Sequence, residues 1–275
     1  MPPLWLWSGL GIVTAILFVL AYRFGVVVRE NDFGSQMEYV QKRVRSSAGK
    51  PVVMILGTSL TQAGLDKTDA MEESIRQNSG KDVVIIKLWK RATNLKTMAE
   101  QLRDLEKIHP NLLIVEANMF CYAAKPMPVN ETLKMIRSIV KLDPLHLPYE
   151  PDLRPDSGYH FNGGLNDLRD PIKDTAQIAS FRQLVKKLHD KGTSVLLVNF
   201  PVEDKEERKK WNSTDTLFFN QNYTYLKAQV PIQFYRPDFY LDSSYFLDHA
   251  HLNYRGCTRF SKWMCALIAN QKKQL

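Results

Sequence analysis

VVMILGTSLTQAG, residues 52 to 64, is an apolar run that ends abruptly in a glycine followed by hydroxyl-bearing side chains. Near-continuous runs of this kind are typical of strands that are buried on both faces of a parallel sheet. Ligands of open parallel sheets bind beyond the carboxyl ends of the strands, so Ser59 stands where a nucleophile is expected. The competing interpretation is a plain turn, since Gly, Ser and Thr suit strand ends.

Apolar runs and helical patterns alternate along the rest of the chain. Strands are predicted at 51–56, 83–88, 112–117 and 194–200, with a shorter one at 231–235. Amphipathic helices are predicted at 94–108, at 178–188 with a stop at Gly192, and at 254–270. This alternation predicts an α/β fold, a three-layer α/β/α sandwich with a parallel sheet of about five strands.

A serine becomes a useful nucleophile only beside a base that a third group orients. Near the C-terminus, Asp248 and His251 lie three residues apart, close enough to project from one turn. His249 beside them also admits a metal site, but no further cluster at ligand spacing supports it, and we expect no metal and no cofactor. Glu116, at the end of the third apolar run, is interpreted either as a paired polar residue or as a group that supports the site.

These residues carry a resemblance to a known family. Gly57-Thr58-Ser59-Leu60 resembles the first block of the SGNH (GDSL) hydrolases, with Thr58 in place of the usual Asp. Asp248-x-x-His251, continuing as HLNxxG, resembles the last block, and the resemblance covers about residues 51 to 270. It implies Ser59 as the nucleophile, His251 as the general base and Asp248 as the residue that orients it.

The same resemblance implies an oxyanion hole made from the N–H of Ser59, a glycine after the second strand and an asparagine after the third. Asn118, in EANMF, is the candidate amide donor. After the second strand the chain reads WKRATN, which has no glycine, so the remaining donor is not identified.

The first residues of the chain predict a membrane anchor. No Asp, Glu, Lys or Arg occurs between Pro2 and Tyr22, and Leu4 to Tyr22 as a helix would span roughly 29 Å, close to the hydrocarbon thickness of a bilayer. The apolar run lacks the preceding basic residues and the cleavage site of a signal peptide. We therefore predict an uncleaved transmembrane anchor over 1–29, a polar stalk over 30–50 with one helical turn around 37–44, and a catalytic domain over 51–275.

One segment of the predicted catalytic domain shows neither helical nor strand periodicity. Residues 144 to 171 are rich in Pro, Gly and Asp, and long loops of this kind are usually functional or disordered. We interpret the segment as an inserted loop that either covers a substrate groove or lies on the surface without a catalytic role.

An anchor combined with altered middle blocks resembles the membrane-tethered acyl-transfer branch of the superfamily. That branch includes the D-alanyl transfer protein of teichoic acid modification and the alginate O-acetyltransferases. The resemblance implies a serine O-acyltransferase or esterase that acts on cell-envelope or secreted polysaccharide through a Ser59 acyl-enzyme, beside a multi-pass membrane acyltransferase. The alternative is a non-catalytic, polysaccharide-binding or scaffolding subunit of a membrane assembly.

Charge leaves the location open. The chain carries a net charge of +8 without a dense basic cluster, so no nucleic acid partner is expected. Basic residues that follow the apolar stretch, such as Arg23, Arg29 and Lys42, favour a cytoplasmic domain. The resemblance implies an extracytoplasmic one, and we expect the latter because charge orients short loops better than long domains.

The three cysteines, Cys121, Cys257 and Cys265, have no metal-type spacing and are predicted to be unpaired core residues.

Overall fold

The fold is described from a computed structural model of the chain. It describes residues 4–27, 33–89, 105, 107–120, 122–124, 169–171, 175–203, 214–248 and 250–271. These residues divide into two compact units, one up to Tyr39 and the other from Val40 onward.

The second unit is built on a parallel sheet of five strands. The sheet strands are β1 Val52–Gly57, β2 Val84–Trp89, β3 Leu112–Glu116, β6 Ser194–Val198 and β7 Ile232–Tyr235. Their order is β2-β1-β3-β6-β7, and every neighbouring pair is parallel. The order places β1 between β2 and β3, so the carboxyl end of β1 lies within the sheet and not at its margin. This confirms the predicted α/β fold with a parallel sheet of five strands.

Helices cover the sheet on both faces. The helices of this unit are α3 Ser59–Gly64, α4 Thr68–Ser79, α5 Thr175–Asp190, α6 Thr214–Lys227 and α7 Tyr254–Ala269. On one face, Met71 of α4 and Phe260 of α7 join a core cluster with Val53, Ile55 and Ile114 of the strands. Successive side chains of a strand point to opposite faces, and the other face receives α5 and α6, which contact β6 and β7.

The predicted strand boundaries agree with the observed ones to within one residue for most strands. Continuous β-branched runs define a doubly buried strand well, and the observed strands are buried along nearly their whole length. The helix predicted at 178–188 is α5, which is longer, and Gly192 has the positive φ of 90° that suits a helix stop. The last predicted helix is α7, whereas the helix predicted at 94–108 lies outside the described residues apart from Leu105 and 107–108.

The region predicted as a polar stalk contains more helix than expected. A helix, α2, runs from Phe33 to Ser46 where the sequence suggested one helical turn. Within the second unit, Val40 of this helix is fully buried, and Arg43 forms an ion pair with Glu72 of α4. The carboxyl half of α2 therefore packs as part of the folded unit.

The first unit contains α1, Leu4–Val27, which lies within the predicted anchor of 1–29 and includes its apolar stretch from Leu4 to Tyr22. Several of its apolar side chains are more than half exposed, for example Trp7, Ile12 and Leu17. Of the helices in the part of the chain that the structure describes, none combines the length and the hydropathy needed to span a bilayer. The structure does not confirm the transmembrane anchor, which stays a prediction.

Most of the inserted loop predicted at 144–171 lies outside the described residues, but its end is a strand. β5, Arg169–Pro171, pairs antiparallel with β4, Tyr122–Ala124, which follows β3 closely in the chain. Strands of three residues are too short to show periodicity, which explains why the sequence did not predict them. Of the cysteines, Cys257 and Cys265 lie on the buried face of α7 and are not joined in a disulfide, and Cys121 lies outside the described residues.

Candidate active site

Ser59 occupies the first position of α3, directly beyond the carboxyl end of β1. Thr58 is the N-cap of this short helix, and its Oγ1 accepts a hydrogen bond from the N–H of Leu60 at 3.2 Å. Gly57 is the last residue of β1. The side chain of Ser59 is partly exposed, whereas the rest of α3 is buried.

The segment that carries Asp248 and His251 is a short closed loop before α7. Phe246 and Leu252 form an antiparallel bridge, and the N–H of Leu247 donates to the carbonyl of His251 at 2.7 Å. Asp248 Oδ1 accepts hydrogen bonds from the backbone N–H groups of Ala250 (2.8 Å) and His251 (2.7 Å). The carboxylate of Asp248 is therefore fixed by the loop itself.

The rest of the HLNxxG motif attaches this loop to α7. Asn253 is the N-cap of α7: its Oδ1 accepts from the N–H groups of Arg255 and Gly256, and its Nδ2 donates to the carbonyl of Ser244 at 2.8 Å. A side chain at Gly256 would place its Cβ 2.3 Å from the carbonyl oxygen of Tyr245. The asparagine and the glycine thus hold the loop on the helix and need not take part in chemistry.

The structure brings the three residues of the two motifs into one chain of hydrogen bonds. His251 Nδ1 lies 2.7 Å from Asp248 Oδ2, and His251 Nε2 lies 2.9 Å from Ser59 Oγ. Both His251 and Asp248 are mostly buried, with about a fifth of each side chain exposed. The structure thus places the two motifs in contact, which the plain-turn interpretation of Ser59 does not explain.

Asp248 is held in its ionised form. Burial by itself raises the pKa of this carboxyl, but the hydrogen bond and charge interaction with His251, together with the two backbone N–H groups, outweigh it and lower the pKa from 3.8 to about 2. An ionised carboxylate only accepts hydrogen bonds, so Nδ1 of His251 is the donor between them. In the neutral imidazole, Nε2 is then an acceptor that faces the hydroxyl of Ser59.

Asn118, the candidate oxyanion donor, lies in a 3-10 turn, Ala117–Phe120, that follows β3. Its side chain is buried, and Nδ2 donates to the carbonyl of Phe200 at 3.1 Å. Phe200 itself follows the carboxyl end of β6, so this bond joins the ends of two neighbouring strands at the sheet edge that carries Ser59. The family's second oxyanion donor would follow β2, where this chain has no glycine. Residues 90–94 of that stretch lie outside the described residues.

Two buried charged residues near Ser59 have contacts that the motifs did not predict. Glu116, fully buried at the end of β3, accepts hydrogen bonds from Thr58 and Thr61 on either side of Ser59. Lys87, fully buried in β2, donates to the carbonyl of Asp66 at 2.8 Å, just past the end of α3. The signal in the sequence was a charged residue inside or at the end of a doubly buried strand, which must find polar partners.

His249 lies outside the described residues, so the metal interpretation of this histidine is not tested. In the part of the chain that the structure describes, no group of three or more His, Cys, Asp or Glu side chains is arranged to hold a metal ion.

No protein-family model matches the sequence, and no curated protein matches it. Solved structures of similar shape include the psychrotrophic esterase EstA from Pseudoalteromonas sp., at 13% identity and a TM-score of 0.45, covering 80% of this chain and 97% of that one. A GDSL-like lipase from Bacteroides thetaiotaomicron has 11% identity and a TM-score of 0.46, covering 88% and 100%. A family two carbohydrate esterase from Clostridium thermocellum, in complex with cellohexaose, has 11% identity and a TM-score of 0.43, covering 82% and 65%. At these scores the function has to be argued from the site itself.

Proposed function

We propose that the protein is a serine esterase or O-acyltransferase that works through an acyl-enzyme on Ser59. The observation that carries the proposal is the continuous hydrogen-bonded order of Ser59 Oγ, His251 Nε2, His251 Nδ1 and Asp248 Oδ2, at distances of 2.9 and 2.7 Å. A nucleophile, a base and a group that orients the base in this order can perform nucleophilic acyl transfer. Its position beyond the carboxyl end of β1 supports the same conclusion.

In the proposed first step, the Oγ of Ser59 attacks the ester carbonyl while Nε2 of His251 takes the hydroxyl proton. The tetrahedral intermediate collapses, the C–O bond to the leaving alcohol breaks, and His251 returns the proton to that alcohol. Asp248 stays ionised throughout and stabilises the imidazolium. In the second step, water or a hydroxyl of an acceptor attacks the acyl-Ser59 ester, again with His251 as the base, and Ser59 is regenerated.

The negative charge of the tetrahedral intermediate needs hydrogen-bond donors. The N–H of Ser59 and the amide of Asn118 are the proposed donors, as the family resemblance implies. The backbone supports the first of these: the carbonyl of Thr58 accepts from the N–H of Thr61 at 3.1 Å, which directs that carbonyl into α3. Because no peptide bond among the described residues is cis, the N–H of Ser59 points the opposite way, out of the helix.

The substrate and location are proposals that rest on the family resemblance and on the N-terminal segment. We propose a polysaccharide of the cell envelope as the acyl acceptor, a multi-pass membrane acyltransferase as the donor partner, and a single-pass location with the Ser59 site outside the cytoplasm. The absence of charged residues between Pro2 and Tyr22 and the exposed apolar side chains of α1 support a membrane location. Protease added to intact spheroplasts tests the orientation, since degradation of the second unit is expected and its protection would contradict the placement.

The test of the chemistry is reaction with a fluorophosphonate probe, together with turnover of an aryl acetate. Wild type is expected to label at Ser59 and to hydrolyse the acetate, and Ser59→Ala is expected to do neither. Mass spectrometry of the labelled peptide identifies the residue. If wild type and Ser59→Ala behave alike in both assays, the enzyme proposal fails and the non-catalytic, polysaccharide-binding or scaffolding alternative stands.

A further inference from the structure

Glu116 is a buried carboxylate whose partners lie on both sides of Ser59 in the sequence. Its Oε2 accepts hydrogen bonds from the N–H of Thr58 at 2.7 Å and from Oγ1 of Thr61 at 2.9 Å. The hydroxyl of Thr58 donates to the same carboxylate, 2.8 Å from Oε1 and 3.0 Å from Oε2. Glu116 ends β3, the strand next to β1, so these bonds cross from one strand end to the turn that follows the other.

The space around this carboxylate leaves no room for a side chain at Gly57. A Cβ at residue 57 would lie 2.4 Å from Oε2 of Glu116 and 1.9 Å from Oγ1 of Thr61. Contacts of this length do not occur, so a larger residue at the end of β1 would displace the side chains of Thr61 and Glu116. The GTSLT sequence and Glu116 therefore form one packed unit around the turn.

The hydrogen bonds fix Thr58 completely. Its N–H and its hydroxyl both donate to Glu116, its Oγ1 accepts from the N–H of Leu60, and its carbonyl accepts from the N–H of Thr61. A residue held at its N–H, side chain and carbonyl has no freedom to rotate, and it sets the position of the next Cα. The next residue is Ser59.

From this arrangement we infer that Glu116 is a positioning residue for the nucleophile: its carboxylate holds the Gly57–Thr61 turn so that the hydroxyl of Ser59 stays in hydrogen-bond distance of His251. The inference rests on the proposed function, because it assigns a role within that site. Burying a charged group is costly unless it is hydrogen-bonded, and Thr58 and Thr61 of this turn supply three donors that offset the cost here. Small displacements matter in such sites, since misplacing a reacting group by about 1 Å can reduce a rate about 100-fold.

The first test compares Glu116→Gln and Thr61→Val with a matched control. Thr193→Val also removes one hydrogen bond of a buried threonine, from Oγ1 to the carbonyl of Pro110 at 2.7 Å, but at the opposite edge of the sheet. We expect Glu116→Gln to lower the rate of fluorophosphonate labelling about 10- to 100-fold, with Thr61→Val showing a smaller loss. The KM for an aryl acetate should change little in both. Thr193→Val should lower the thermal midpoint as much as Thr61→Val does but label at the wild-type rate.

A second test exchanges the donor and the acceptor of the side-chain hydrogen bond between residues 58 and 116. In Thr58→Asp alone, two carboxylates face each other in the buried site, and both stability and labelling should fall. In the double variant Thr58→Asp/Glu116→Gln, the amide at 116 can donate to the carboxylate at 58, and labelling should recover above that of either single variant. A residue that merely contributes to stability would not produce such recovery in the labelling rate.

The outcomes separate the inference from the proposed function. If wild type does not label at all, the proposed function fails first. If wild type labels, Ser59→Ala does not, and both Glu116→Gln and Thr61→Val label at the wild-type rate, Glu116 has no positioning role although the function stands. If Glu116→Gln does not fold, the comparison of Thr61→Val with Thr193→Val is the remaining test. Equal labelling rates of these two folded proteins would overturn the inference.

Discussion

His251 Nε2 lies 2.9 Å from the Oγ of Ser59 although 192 residues separate the two in the chain. The distance between His251 and Asp248 is set locally, because both belong to one short closed loop. The contact with Ser59, by contrast, depends on the whole second unit, in which α7 packs against α3 and α4. The site therefore responds to substitutions of two kinds, those that alter the loop and those that move the turn after β1.

Asp248 should make stability depend on pH. Its pKa is lowered from 3.8 in the unfolded chain to about 2 in the folded protein, so its contribution is complete above about pH 4 and is lost as the pH falls through 2. The full contribution is at most about 2.5 kcal/mol, and partial solvent exposure reduces it. Between pH 5 and pH 2, the free energy of unfolding in urea should fall more for wild type than for Asp248→Asn. Parallel curves for the two proteins would contradict the prediction.

Gly57→Ala should damage both stability and reactivity. The new Cβ would overlap Thr61 and Glu116, and overpacking of this kind costs about 1 to 3 kcal/mol in the free energy of unfolding. Gly64→Ala is the matched control at the other end of α3, because a Cβ there meets no atom closer than 3.4 Å. We expect it to lie within about 1 kcal/mol of wild type. Equal effects of the two substitutions in urea unfolding would show that the space at Gly57 is not restricted.

Lys87→Met should destabilise the protein more than Lys81→Met. Both lysines donate to carbonyls near helix ends: Lys87 Nζ to Asp66 at 2.8 Å, and Lys81 Nζ to Ala269 at 2.9 Å. Lys87 is fully buried, so its partner carbonyl would lose a donor that water cannot replace, at a cost of about 1 to 3 kcal/mol. Lys81 is partly exposed, and water should replace most of its bond. Comparable losses in chemical denaturation would contradict this difference.

Asn118→Asp should separate a catalytic role of the amide from a structural one. The substitution keeps the size of the side chain but removes the N–H donors. If Asn118 stabilises the oxyanion, kcat for an aryl acetate should fall about 100- to 1,000-fold with little change in KM. A kcat close to that of wild type would contradict the catalytic role and favour a structural one, such as the bond to the carbonyl of Phe200.

The sequence predicted those parts of the fold that are encoded in continuous patterns. Apolar runs defined the strands, and the periodic residues of 178–188 defined α5, because burial on a strand or helix face leaves a regular signal. The pair of Asp248 and His251 was predictable because three residues of spacing already bring them together.

The contacts of Glu116 and Lys87 were not predictable, because they depend on the order of the strands. That β3 lies beside β1, and that the side chain of Lys87 reaches the end of α3, follow from packing between distant segments. The helix at 33–46 was predicted too short for a similar reason. Its sequence is mostly polar, and its carboxyl half is stabilised by contacts such as Arg43 with Glu72 that only the folded unit provides.

The wide separation of Ser59 from His251 in the chain also means that the two residues are synthesised at different times. Ribosomes make the chain from its amino end, so the serine emerges long before the histidine that would take its proton. Closing the short loop between Phe246 and Leu252 costs little entropy, whereas joining it to the turn after β1 must wait until most of the second unit has formed. A nascent or partly folded chain thus carries an unactivated serine hydroxyl. Reactivity requires that α7 and the loop before it pack against α3 and α4.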